Sequence, residues 1–259
     1  MSALQLNKVG AAPWGDELLK DINLNLAPGQ VLGIIGPNGA GKSSLLQVLS
    51  GQVAPSHGEL LLNGTAFPHW DRLDKARAVG LLPQASSLNF PFAVEEVILL
   101  GRTPHRSGAS DDQAVLEAVL VATDTVQLRH RLYTQLSGGE RQRVQLARVL
   151  AQLWRSDDAA TRLLLLDEPN NALDPAHQQM VLSNIQRMAD EGAMVAMVMH
   201  DFNAVARAAD QVLVMDQGRQ VALGSPQEIL TKQLFADIFN VDVLISQHPN
   251  GEYPLVVPA

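Results

Sequence analysis

Apolar residues follow one another without a break at positions 163–166 and again at 194–199, and 31–35 comes close to the same pattern. Successive side chains of a strand point to opposite faces, so an unbroken apolar run predicts a strand buried on both sides, as in a parallel sheet covered by helices. Earlier segments, Ala3-Leu4-Gln5-Leu6, Ile22-Asn23-Leu24-Asn25-Leu26 and Leu60-Leu61-Leu62, alternate or cluster like antiparallel strands, punctuated by Pro28-Gly29 and Asn63-Gly64. Beyond Gln84, from about residue 92 to 151, the spacing turns helical, most clearly at 94–100 and 112–122. The sheet pattern resumes at Leu163, is interrupted by one helix, and closes with residues 212–215 and 220–222 joined by Asp216-Gln217-Gly218-Arg219. Ser225-Pro226-Gln227-Glu228 predicts a helix start: Ser225 caps, Pro226 fits the first helical position and Glu228 reaches back. The expected class is α/β.

The first strand–helix junction carries candidate chemistry. Gly36-Pro37-Asn38-Gly39-Ala40-Gly41-Lys42-Ser43 lies between the strand pattern at 31–35 and a helical pattern from Ser44, the context a phosphate loop requires. Its glycines allow torsions closed to residues with a Cβ, so successive N–H groups can converge on phosphate oxygens, and a helix starting at Lys42 adds its positive dipole end. Lys42 brings a full charge to the β/γ-phosphates, the Ser43 hydroxyl is placed to ligate Mg²⁺, and Ser44 completes the turn. The run ending at Asp167-Glu168 places two carboxylates at the carboxyl end of a buried strand, where open α/β sheets bind ligands. Asp167 suits Mg²⁺, usually through water, and Glu168 suits the water that attacks the γ-phosphate. His200, ending the similar run at 194–199, is expected on the same sheet edge, donating to phosphate from one nitrogen and orienting Glu168 or water with the other.

With these residues in place, and with Leu136-Ser137-Gly138-Gly139-Glu140 ahead of the helical segment 141–150, the chain resembles the nucleotide-binding subunits of ABC transporters from about residue 3 to 235. The resemblance implies one ABC nucleotide-binding domain over 1–259. A mainly parallel RecA-like core sheet with an antiparallel β subdomain would span about 1–91 and 162–235, an inserted α-helical subdomain 92–161 and a tail 236–259. It further implies an ATPase whose Ser137, Gly138, Gly139 and Glu140 close on ATP held by the Lys42 loop of a second copy. Gln84 would touch Mg²⁺ and link the core to the helical subdomain, Asp174 would make the contact between copies, and Trp14 would stack on adenine. Asn170 and Asn171 depart from the Thr and Ser usual in the family. Phe90 to Val97 and Gly101-Arg102-Thr103-Pro104-His105 are similar to importers of iron chelates, heme and cobalamin, and residues 154–161 to an insertion in heme-importer ATPases. Heme is the expected cargo, with iron–siderophore or cobalamin as alternatives. Residues 84–105 are expected to grip a coupling helix of a permease, with Leu88, Phe90 and Phe92 as an apolar socket.

Composition narrows the class. The chain has 259 residues, 46% hydrophobic, enough for a sizeable core. No apolar run reaches the ~18 residues of a membrane span, and no secretory opening is read at the start, so a separate polytopic permease is implied, with a periplasmic cargo-binding protein acting indirectly. Zero cysteines fit a reducing compartment, here the cytoplasmic face of a bacterial inner membrane. A formal charge of −8 argues against nucleic acid as partner. Two rival classes, soluble ABC ATPases of DNA repair or translation and small-molecule kinases, are disfavoured. The former tend to carry tandem cassettes, coiled-coil inserts or basic arms; the latter have no use for 136–140.

Overall fold

A computed structural model describes residues 3–259 except 14, 85–87 and 155–160. Strands β1 (Leu4–Ala11) and β2 (Leu19–Leu26) pair antiparallel, then β3 (Val31–Ile35) enters the phosphate loop and α1 (Lys42–Leu49) leaves it. β4 (His57–Leu62) pairs antiparallel with β1 and with the short β5 (Thr65–Ala66). Helix α2 (Arg72–Ala78) leads into β6 (Val79–Leu82), after which come α3 (Val94–Leu99), α4 (Ala109–Ala122) and α5 (Gly138–Leu153). The chain then alternates through β7 (Leu163–Asp167), α6 (Pro175–Asp190), β8 (Met194–Val198), α7 (Phe202–Ala208), β9 (Gln211–Asp216) and β10 (Arg219–Gly224). It ends with α8 (Pro226–Ile229), a short helical passage through Phe239, and a hairpin of β11 (Val243–Gln247) and β12 (Pro254–Pro258).

The sheet runs β5-β4-β1-β2-β10-β9-β3-β8-β7-β6. From β9 to β6 all neighbours are parallel, β10 is antiparallel to β9, and the antiparallel strands join through a single pairing of Lys20 with Arg219. Alternate residues of the parallel strands feed two different cores. Val31, Ile35, Leu164, Leu166, Val195 and Met197 pack with the helices α3 to α7, whereas Leu32, Ile34, Leu163, Leu165, Met194 and Ala196 pack with α1 and the antiparallel strands. Burial on both faces is why these strands are apolar at consecutive positions, and each leucine so covered contributes about 1.5–3 kcal/mol.

The helical segment between β6 and β7 is held by close packing on α5. Gly101, just past α3, lies so near α5 that a Cβ would stand well inside contact distance of the Arg148 carbonyl oxygen. Gly101→Ala is therefore expected to force the helices apart at a cost of about 1–3 kcal/mol, lowering Tm by several degrees in a thermal melt; an unchanged Tm would remove this account of the glycine. The neighbouring Arg102 is buried, its Nε donating to Asp112 Oδ1 at 2.9 Å and its Nη1 to the Ala151 carbonyl at 2.9 Å, and His105 Nε2 lies 2.8 Å from the Gln152 carbonyl. The segment 101–105 thus ties the end of α3 to both α4 and α5.

Three local readings change in the structure. The helix expected from Asp112 begins at Ala109, which puts Asp111 and Asp112 in its first turn, where the dipole favours carboxylates. The last residues form the β11–β12 hairpin, docked on α7 by Asn203, which donates from Nδ2 to the Val256 carbonyl at 3.0 Å and accepts from Val256 N–H at 2.8 Å. Leu88 is half-buried against the helical core, leaving Phe90 and Phe92 as the exposed apolar pair. Trp154 closes α5 beneath the Arg187 guanidinium, 3.9 Å from its ring centroid; residues 155–160, most of the expected insertion, lie outside the described part.

Candidate active site

The carboxyl ends of β3, β8 and β7 are adjacent, Ile34 standing beside Val198 and Val198 beside Asp167. One sheet edge therefore gathers the phosphate loop, Asp167, Glu168 and His200. Gly36, Gly39 and Gly41 have φ of 154°, 78° and 95°, and at Gly36 a Cβ would also collide with the Met215 carbonyl. Ala40 is buried, Asn38 and Ser43 are exposed, and Ser44 is half-buried on α1. Lys42, only 7% exposed, folds back over its own loop and donates from Nζ to the carbonyls of Gly36 at 2.7 Å and Pro37 at 2.8 Å. Burial pulls the Lys42 pKa down, and the charges of Glu168 and Asp167 work against that. Such an ammonium, held by neutral carbonyls inside a ring of N–H groups, is ready to exchange them for phosphate oxygens.

Asp167 is buried, and burial pushes its pKa up, helped by the Glu168 charge and opposed by the Ser43 hydroxyl and by Lys42. Its Oδ1 has no hydrogen-bond partner. Glu168 sits at φ 51°, a left-handed conformation that costs a residue with a Cβ roughly 1 kcal/mol or more and so marks a constrained position. Its N–H donates to the Val198 carbonyl at 3.0 Å, which ties the end of β7 to β8 and swings the side chain toward His200. There the His200 Nε2 lies 2.8 Å from Glu168 Oε1. A cavity of about 220 Å³ opens beside the pair, lined by Glu168, Asn170, Asn171, Met199, His200 and Asp201. Gln84 is exposed two residues past the end of β6, the strand paired with β7; Trp14 lies outside the described residues.

On α5, Ser137 and Glu140 form a reciprocal cap. Ser137 Oγ accepts from Glu140 N–H at 3.3 Å and Glu140 Oε2 accepts from Ser137 N–H at 2.8 Å, while Arg131 donates to Glu140 Oε1 at 2.9 Å. These bonds hold the Glu140 carboxyl below its ordinary range, the Ser137 N–H contributing most. Ser137 and Gly138 are exposed at the N-terminus of a 16-residue helix, the end at which free N–H groups favour anions. A Cβ on Gly139 would stand 2.8 Å from the Ala172 carbonyl, which shows how closely α5 supports the loop 170–174. Asp174 caps α6, accepting from His177 N–H at 2.9 Å, and that bond leads the causes that lower its pKa.

The ABC transporter family model matches residues 19–171, which include the phosphate loop, the pentapeptide 136–140 and both carboxylates. The chain belongs to the ABC transporter family. Among its ABC relatives is the hemin import ATP-binding protein HmuV of Pseudomonas entomophila, 50% identical over 241 residues, or 93% of this chain and 94% of that one. The protein of the same description from Myxococcus xanthus is 49% identical over 93% of this chain and 91% of its own. A solved structure described as a metal-chelate type ABC transporter in an inward-facing conformation superimposes with a TM-score of 0.80 at 28% identity, covering 100% of this chain and 97% of that one. No described helix of this ABC chain is long and apolar enough to cross a membrane.

Proposed function

We propose that the chain is the ATP-hydrolysing subunit of an importer, that two copies close on ATP, and that their cycle drives a separate transmembrane permease whose cargo is heme. The observation that carries the hydrolytic part is the single sheet edge on which buried Lys42, buried Asp167 and the His200–Glu168 pair meet. Lys42 and the loop N–H groups hold the β- and γ-phosphates. Glu168 accepts the proton of the attacking water, His200 keeps the Glu168 carboxylate turned toward it, and the P–O bond to the leaving ADP breaks in line. The partnerless Asp167 Oδ1 and the adjacent Ser43 hydroxyl suit a hard cation. Asp167, Ser43 and Gln84 would hold Mg²⁺, which when bound supplies charge neutralisation on the phosphates. No group of three or more His, Asp or Glu side chains that could hold a metal is gathered among the described residues, so phosphate oxygens would complete the shell.

Ser137 and Gly138 are exposed, and in the proposed pair they and Gly139 meet the γ-phosphate held by the other copy, with Asp174 contacting that copy. Exposed Phe90 and Phe92, 6.1 Å apart between ring centroids, offer the permease an apolar foothold. The proteins named for hemin import support heme as cargo, and with it a location on the cytoplasmic membrane face and a periplasmic binding protein upstream.

Uptake into proteoliposomes holding the chain with its permease tests this reading. ATP-dependent heme accumulation is expected, and accumulation of a siderophore or cobalamin in its place would overturn the cargo. In the same assay Ser137→Arg should bind ATP yet lose turnover by about 100-fold or more, the scale of removing one group that contacts only the reacting phosphate. Full turnover in that variant would overturn the shared site.

A further inference from the structure

His177, on the first turn of α6, stands between two carboxylates from different parts of the fold. Its Nδ1 lies 2.8 Å from Asp174 Oδ2, and its Nε2 lies 3.2 Å from Asp124 Oδ2. Asp124 belongs to the turn after α4, in the helical segment, and is held there from the other side by Arg143 of α5, whose Nη1 bonds to the Asp124 carbonyl and lies 3.1 Å from its Oδ2. The path Asp174–His177–Asp124–Arg143 therefore runs from the loop proposed to touch the second copy to the helix that carries Ser137. Asn184 Nδ2, donating to the Ala122 carbonyl at 2.8 Å, ties α6 to the same turn a second time.

An exposed ion pair contributes little. The carboxylates of Asp124 and Asp174 are 62% and 58% exposed, but the imidazole is 24% and the Arg143 side chain 8% exposed, and what sets this cluster apart is that both ring nitrogens are occupied. The ring thus lies between the two carboxylates and joins them through its two nitrogens.

We propose that His177 is a positioning residue for hydrolysis: by bridging Asp174 and Asp124 it makes the 170–174 loop and the α5 N-terminus of one subunit move as a single body. The inference rests on the hydrolytic reading above, in which both elements must reach the second copy together. His177 touches none of the phosphate-binding groups, so loosening the bridge should slow the closed state's turnover and leave nucleotide capture alone.

The test is the ATPase rate of the full chain assembled with its permease. His177→Phe, which fills the space without a donor, should lower kcat about tenfold with KM for ATP unchanged, and His177→Gln, with a donor for one carboxylate, about threefold. In an Asp124→Gly background, which removes the acceptor and suits the left-handed backbone there (φ 49°), the same His177→Phe change should cost less than about twofold, because the bridge is already broken. An unchanged kcat, a rise in KM in place of a fall in kcat, or the same tenfold loss in both backgrounds would overturn the proposal. Should His177→Phe fail to fold, His177→Gln and Asp124→Gly, alone and combined, carry the same comparison. A Glu168→Gln control separates the two ideas: if ATP does not bring its copies together, the hydrolytic reading has failed, whatever the His177 series shows.

Discussion

Glu168→Gln should cut ATP turnover by about 10²–10⁴-fold while nucleotide stays bound and two copies stay joined. The replacement keeps shape and size and removes only the capacity to take a proton. The backbone at this position is already committed to φ 51°, with its N–H on the Val198 carbonyl, so the amide will occupy the carboxylate's place without disturbing β7. The charge balance changes in favour of ATP: one of the two carboxylates beside Lys42 becomes neutral, which lessens repulsion of the γ-phosphate. His200 can still hydrogen bond to the amide oxygen, and the site stays assembled but without a base. Size-exclusion chromatography with ATP and Mg²⁺ should show a dimer that persists for the variant and decays for the parent chain, alongside a turnover assay. Turnover within about fivefold of the parent, well short of the loss expected from deleting a general base, would take the base assignment from Glu168.

What could be read from sequence was whatever the chain must encode locally. Strands β3, β7 and β8 were legible because burial on both faces leaves no room for polar residues, and the Ser225–Glu228 cap because its partners are three residues apart. Lys42, Asp167, Glu168 and His200 could be assigned to one edge because parallel strands put all their carboxyl ends on the same side. What stayed hidden depends on partners distant in sequence. The β11–β12 hairpin is short, carries prolines at both ends of β12, and is anchored by Asn203, 53 residues away from Val256. The His177 bridge joins α6 to a turn 53 residues earlier, and no periodicity in either segment announces it. The left-handed backbone of Glu168 was equally silent, since only the closure of β7 against β8 requires it. Glu140, expected to face a second copy, turns its carboxylate inward to cap its own helix, a role that the Ser-x-x-Glu spacing does carry.

Lys42→Ala should weaken ATP binding by about 10–100-fold, because a hydrogen bond to a charged group in a desolvated site is worth about 1.5–3 kcal/mol. The free protein shows why the lysine is suited to the task. Its ammonium is buried against two carbonyls of its own loop, and the pull of burial on its pKa is opposed by the two neighbouring carboxylates, so incoming phosphate meets a cation that is already largely stripped of water. Alanine keeps the loop N–H groups and the α1 dipole, so some affinity survives. A thermal melt separates the terms. At ATP near 100 times the parent's Kd, the parent gains about 2.7 kcal/mol, whereas a variant weakened 100-fold gains only about 0.4 kcal/mol. For a chain of this length that difference reads as an ATP-induced rise in Tm of about 5–10 °C against about 1 °C, each measured relative to its own nucleotide-free melt. Lys42→Arg should recover little of the loss, since a planar guanidinium cannot sit where a compact ammonium meets the Gly36 and Pro37 carbonyls. Equal ATP-induced shifts in the parent and in Lys42→Ala would assign the phosphate grip to the backbone alone.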